Sequence, residues 1–101
     1  SGYYSWQIVS TDVNPAVKLT GYLVDTSAIA INITLPASPT VGDSVFIHDF
    51  TSNADVYNIT VLRNNNKIMG VEDDMLIDYR DTALELVYTN ADRGWQVVNL
   101  I

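Results

Sequence analysis

Apolar and polar residues alternate with a period of two through most of this chain, and turn-forming residues break the alternation at short intervals. The clearest stretch is 29–35, where Ile29, Ile31, Ile33 and Leu35 alternate with Ala30, Asn32 and Thr34. Successive side chains of a strand point to opposite faces, so this stretch predicts a strand with one buried face. The same signal recurs over 3–10, 18–24, 44–49, 57–62, 83–88 and 95–100, with shorter pieces at 68–69 and 75–77. Asp12-Val13-Asn14-Pro15, the double-proline stretch 36–43, the polar loop 51–55, the turn 63–67 and the connection 89–94 separate them. Turn signals about every 8–12 residues are the pattern of an all-β sandwich or barrel. The expectation is a small antiparallel β-sandwich or flattened barrel of about eight or nine strands. No window has helical periodicity, apart from one short helical turn expected over 12–16, with Asp12 as cap and Pro15 in the first turn.

A chain of 101 residues is one domain with a single modest core. Apolar residues make up 48%, which is globular rather than disordered, and charged residues only 17%, which fits either a surface partly covered by a partner or a dry-sided β-sandwich. Twelve Asp and Glu against five Lys and Arg give a net charge of −7. That argues against nucleic acid as a partner, since its phosphates need a basic face, and disfavours an anionic membrane surface. No apolar run is long enough to span a bilayer. Without cysteine there is neither a disulfide framework nor a thiolate metal site. Ser1-Gly2 reads as a cloning remnant, and the chain as an excised fragment.

Catalytic equipment is sparse. His48 beside Asp49 has the look of an oriented base, but no nucleophile elbow accompanies it, so His48 is read as structural. Glu72, Asp73 and Asp74, with Asp78 and Asp81, lack the spacing of a calcium loop. Adjacent acids on a strand face opposite ways, so a solvated acidic turn is expected, balanced by Arg63 and Arg80. A hydrolase using Glu72 and Asp78 would need those two brought together across a cleft. Trp95 and Tyr88 are expected in the core, whereas Tyr3, Tyr4 and Tyr57 are candidates for exposed or interface rings. The Asn-x-Thr triplets at Asn32 and Asn58 read as strand composition. No catalytic residue, metal ligand or cofactor site is assigned.

Near its two ends the chain repeats itself: Ser5-Trp6-Gln7-Ile8-Val9 is echoed by Gly94-Trp95-Gln96-Val97-Val98. Such an echo suggests one unit of a tandem array. Further motifs stand in a definite order: Tyr22-Leu23-Val24-Asp25-Thr26-Ser27, Ile33-Thr34-Leu35-Pro36, Pro39-Thr40-Val41-Gly42-Asp43, Val45-Phe46-Ile47-His48-Asp49, Asn58-Ile59-Thr60-Val61, Arg63-Asn64, Lys67-Ile68-Met69-Gly70, Leu86-Val87-Tyr88 and Gly94-Trp95-Gln96-Val97. Over about residues 20–99 this order resembles a β module of virion appendage proteins of tailed bacteriophages, most like those of phages infecting marine bacteria and cyanobacteria. Asn65 stands where that family commonly has Gly after the turn Asn.

The resemblance implies a structural module of a tail fibre, or of a head or neck fibre, that assembles as a parallel homotrimer beside other fibre modules. It implies a virion location and no enzymatic activity. Residues 1–15 would be a linking strand or the tail of a preceding module, and 16–101 the module itself. Its fold-defining positions would be Leu35, Pro36, Gly42, Asp43, Asp49, Asn58, Gly70, Tyr88, Gly94 and Trp95. Contact with a host-surface glycan or protein receptor is expected from the loops, at Asn53, Asp55, Tyr57, Asn65 and Asn90. The other reading is a monomeric carbohydrate-binding module presenting Tyr3, Tyr4 and Tyr57.

Overall fold

In the computed structural model residues 3–100 are described; Ser1, Gly2 and Ile101, and with them the expected cloning remnant, lie outside the described residues. Eight strands follow one another: β1 (Ser5–Val9), β2 (Thr20–Val24), β3 (Ile31–Thr34), β4 (Ser44–Asp49), β5 (Ile59–Leu62), β6 (Met75–Ile77), β7 (Ala83–Tyr88) and β8 (Trp95–Leu100). They form a five-stranded sheet in the order β1-β2-β4-β7-β8 and a three-stranded sheet in the order β3-β5-β6. The all-β expectation holds.

The antiparallel expectation does not. β1 pairs with β2, β2 with β4 and β3 with β5 in parallel; only β4–β7, β5–β6 and β7–β8 are antiparallel. The reason lies in the connections. From β2 to β5 the chain crosses to the other sheet after every strand, so strands adjacent in one sheet are two apart in sequence and run the same way. The first half is thus wound in laps; β6 and β7 run against their neighbours β5 and β4, and β8 turns back along β7. An alternating sequence says which face a side chain takes but not which way its neighbour runs.

The laps enclose one core. Tyr22 and Val24 of β2, Val45 and Ile47 of β4, and Leu84, Leu86 and Tyr88 of β7 face Ile31 and Ile33 of β3, Ile59 and Val61 of β5, and Ile77 of β6. Trp95 is fully buried and packs edge-on against Tyr88, with ring centroids 5.5 Å apart. Both rings are where the sequence predicts them. The strand expected over 29–35 starts at Ile31, because 27–29 bend at the surface and leave Ile29 exposed. The strand expected at 68–69 reduces to an isolated bridge: Ile68 pairs with Val71 and Trp95, and Met69 turns away at φ 53.

The helical turn expected over 12–16 is absent. Val13 is drawn onto the edge of β3 instead: its N–H donates to the Asn32 carbonyl (2.9 Å) and its carbonyl accepts from the Thr34 N–H (2.8 Å). The Asp12 carboxylate accepts the Asn32 N–H rather than capping a helix. β1 is paired with β2 along its whole length, so the expected 1–15 segment shares a sheet with the residues after it.

Gly94 marks the tightest crossing. It sits at φ 68, and a Cβ there would lie 1.9 Å from the Lys67 carbonyl oxygen. That carbonyl accepts the Trp95 N–H (2.8 Å), so it cannot retreat without breaking the bond. Gly94→Ala is expected to cost at least about 2 kcal/mol in urea denaturation.

Candidate functional site

The winding sorts the connections to two ends of the molecule. The turns around 25–30, 50–58 and 78–82 gather where β2 and β4 end, and those around 36–43, 63–71 and 89–94 gather where β4 begins. Asp49 organises the first end. In phase with Val45 and Ile47, it points inward and is fully buried. Its carboxylate accepts the Thr26 hydroxyl (2.6 Å) and the N–H groups of Ala54 (3.0 Å) and Asp81 (3.0 Å). One ionised side chain therefore fastens three turns from different laps. Burial alone would push this carboxyl up, but the Thr26 hydroxyl and the backbone N–H groups of Ala54, Asp81 and Asn53 outweigh it and hold the pKa below the ordinary value.

His48, the neighbouring residue, faces the other side of the sheet. Its Nδ1 lies 3.1 Å from the Thr82 carbonyl, which can only accept, so Nδ1 carries the proton. His48 and Asp49 do not form a base and its orienter. Nor are the acids of 72–81 assembled. Glu72 lies 3.8 Å from Arg63, and Asp74 accepts the Arg63 N–H (2.8 Å), near the second end. Asp78 instead lines an apolar cleft of about 300 Å³ between β6 and the end of β8, formed by Met75, Leu76, Ile77, Leu84, Val97 and Leu100. Glu72 is not part of that cleft. Among the described residues no three His, Asp or Glu side chains converge as metal ligands would.

The loop candidates divide between the ends. Asn53, Asp55 and Tyr57 lie beyond Asp49, whereas Asn65 and Asn90 lie at the opposite end. Much of this polar chemistry is spent on the fold. The Asn53 side chain donates to the Thr51 carbonyl (2.9 Å), Asn58 to Ala54 (2.6 Å) and Asn64 to Leu35 (2.9 Å), and Asn90 accepts the Arg93 N–H (2.8 Å). Asn65 takes φ 70, a left-handed conformation that Asn tolerates in the Gly place. Of the remaining motif positions, Leu35 is fully buried, Pro36 half-buried, and Gly42 and Gly70 have φ of 90 and 79. Asp43 holds the 40–43 turn by accepting the Thr40 N–H (2.9 Å).

The outer face of the five-stranded sheet is the surface that composition alone does not show. Register and alternation place Trp6 and Ile8 of β1, Leu23 of β2, Phe46 and His48 of β4, and Glu85 and Val87 of β7 on it. Tyr4, Trp6 and Phe46 form a ring cluster with centroids 5.5 to 5.9 Å apart. Trp6 lies over Gly21, where a Cβ would come within 2.3 Å of the indole. Burial, together with the hydrogen bond that Tyr4 donates to Glu85, pushes the Tyr4 phenol up to about 12. The three rings are tilted at 49 to 70° and give no flat platform for a sugar. Tyr57 lies at the far end from Tyr4, so the expected tyrosine group is not brought together. The outer face of the three-stranded sheet is different in kind: Asn32, Thr34, Thr60, Leu62 and Leu76.

No known family model matches this chain, and no curated protein matches it.

Asp49→Asn would set an amide NH₂ among N–H donors and is expected to cost about 3 kcal/mol at pH 7. The stabilisation from a carboxylate held low is complete above the unfolded pKa of about 3.9 and is lost as pH falls through the folded value. Denaturation midpoints of wild type and variant should therefore begin to converge as pH falls below about 4.

Proposed function

We propose that this chain is a structural, non-enzymatic module of a tailed-bacteriophage virion fibre, assembling as a homotrimer through the outer face of its five-stranded sheet. The observation that carries this reading is the contrast between the two outer faces. One carries Asn32, Thr34 and Thr60 beside Leu62 and Leu76; the other gathers Tyr4, Trp6, Ile8, Leu23, Phe46 and Val87 around Glu85 and His48, three of them aromatic rings in mutual contact. An exposed apolar face on a small acidic domain is a partner surface. Each Å² of apolar surface withdrawn there contributes about 25 cal/mol before the entropic cost of association. Three copies meeting on this face would leave both loop ends free, one carrying Asn53, Asp55 and Tyr57 and the other Asn65 and Asn90. Weak contacts of such loops with a host-surface glycan or protein would be multiplied threefold on one rigid body. The resemblance of the motif order to that of phage appendage modules points to the same reading.

Light scattering on the purified chain at micromolar concentration should give the mass of three copies. Phe46→Lys, which places a charge in the middle of the face, should reduce the mass toward one copy while leaving the far-ultraviolet spectrum unchanged. A wild-type chain that stays monomeric overturns the reading.

A further inference from the structure

The two sheets are unequal, and the mismatch opens the core at one side. The three-stranded sheet ends at β6, while the five-stranded sheet continues past β7 to β8. The space between β6 and the end of β8 is the apolar cleft of about 300 Å³. A bulge shapes its wall. Glu85 pairs with Asn99 but Leu86 with Val97, so Val98 is the extra residue of β8. Without it, the alternation that turns Trp95 and Val97 inward would turn Asn99 inward too. With it, Leu100 takes that place, paired with the buried Leu84. An aliphatic side chain thus stands where an amide would have stood. Leu100 nevertheless remains 68% exposed, so the wall is apolar and the cleft is not filled by it.

The polar groups at the mouth are few. Asp78 lines the cleft, and among the described residues its carboxylate has neither a hydrogen bond nor an ion pair. The Thr82 hydroxyl spends its proton on the Tyr79 carbonyl (2.5 Å). A wider bay of about 660 Å³ adjoins the cleft through Tyr79, Thr82 and Leu100, and adds Arg80 and Asp81. Tyr79 is 78% exposed and borders both parts.

We propose that the cleft between β6 and β8 binds a small organic cation, a primary ammonium carried on an unbranched aliphatic body. The body displaces water from Met75, Ile77, Leu84 and Leu100. The ammonium stays at the mouth, where Asp78 accepts its hydrogen bonds and the Tyr79 ring offers a face to a cation. A charge held at the rim keeps part of its water, so the cost of burying it does not arise. Charge selects this class over others of the same shape. An anion in the cleft would meet Asp78, and the net charge of −7 repels it from a distance. Arg80, the one opposing charge, lines the bay and not the cleft. A neutral body gains the apolar contact alone. The cleft lies between the sheets and not on the outer face of the five-stranded sheet, so the site does not depend on the threefold reading.

The probe is n-hexylamine, with n-hexanol and n-hexanoate as neutral and anionic controls, titrated at neutral pH into the isotope-labelled chain and followed by backbone amide shifts. Hexylamine should produce saturable shifts at Ile77, Asp78, Leu84 and Leu100, and should bind about fivefold more tightly than either control. Asp78→Asn should remove that advantage while leaving hexanol binding unchanged, and Asp78→Glu should keep it. Leu100→Lys, which sets a cation in the wall, should weaken hexylamine more than hexanol. A blocked lysine amide carries the same ammonium with polar amides at its other end and should bind more weakly than hexylamine. Equal binding would assign the cleft to a lysine of a protein partner and overturn the proposal. Hexanoate binding as tightly as hexylamine overturns it, as does an unchanged preference in Asp78→Asn. Shifts confined to Tyr4, Trp6 and Phe46 would move the ligand to the ring cluster and overturn it too. Light scattering on the same samples keeps the two readings apart. A monomeric chain that binds hexylamine in the cleft removes only the fibre reading, and a trimer that does not bind it removes only this one.

Discussion

The architecture depends on a carboxylate that does not touch solvent. Laps of chain wound into two sheets need their turns fastened to one another, because the parallel neighbours β1–β2, β2–β4 and β3–β5 share no hairpin. Asp49 does this at one end by accepting from Thr26, Ala54 and Asp81, one group in each of three turns. A buried charge is costly unless its lone pairs are taken up, and here fixed hydrogen-bond donors take them up. At the other end the fastening is apolar and steric. Trp95 fills the space between the sheets, and Gly94 lets the 67–69 segment lie against β8.

Such fastening leaves each sheet with one face turned away from the core. The small sheet turns Asn32, Thr34 and Thr60 outward beside two leucines, whereas the large sheet turns a cluster of three aromatic rings outward with Ile8, Leu23 and Val87. Both faces belong to strands whose inner sides are equally buried, so core packing does not explain the difference. It is a property of the surface. The clustering of Tyr4 and Trp6 against Phe46 ties the first strand to the middle of that face.

Much of the core was legible in the chain. Ile31, Ile33 and Leu35, Val45 and Ile47, and Leu84 and Leu86 each keep strict phase, and all are buried. The same phase places Asp49 inside, a signal that its acidic character and its pairing with His48 in sequence obscure. Strand direction was not legible, since period-two alternation is identical for parallel and antiparallel neighbours. The echo between Trp6 and Trp95 is real in sequence, yet the two indoles take opposite sides. One rests on a glycine at an outer edge and the other sits in the core, because edge and interior strands face different surroundings. The turn at 12–16 misled because Asp12 and Pro15 carry helix-start signals that pairing with β3 overrides. Of the candidate site, single residues could be named, but not their partition between two ends, which the crossings alone decide.

The winding also sets the order in which this chain can be built. β2 can lie against β1 as soon as both have left the ribosome, and β4 against β2 in turn, so each lap finds a template already laid down. The small sheet grows likewise from β3 to β5. The last three strands join by antiparallel pairing instead, and they include β7, which supplies Leu84 and Leu86, and β8, which supplies Trp95. Until they arrive the nascent domain is open along one side, with aliphatic residues facing water. A ribosome that pauses before Leu84 would therefore display a sticky half-built intermediate, whereas one that pauses after Leu100 would not.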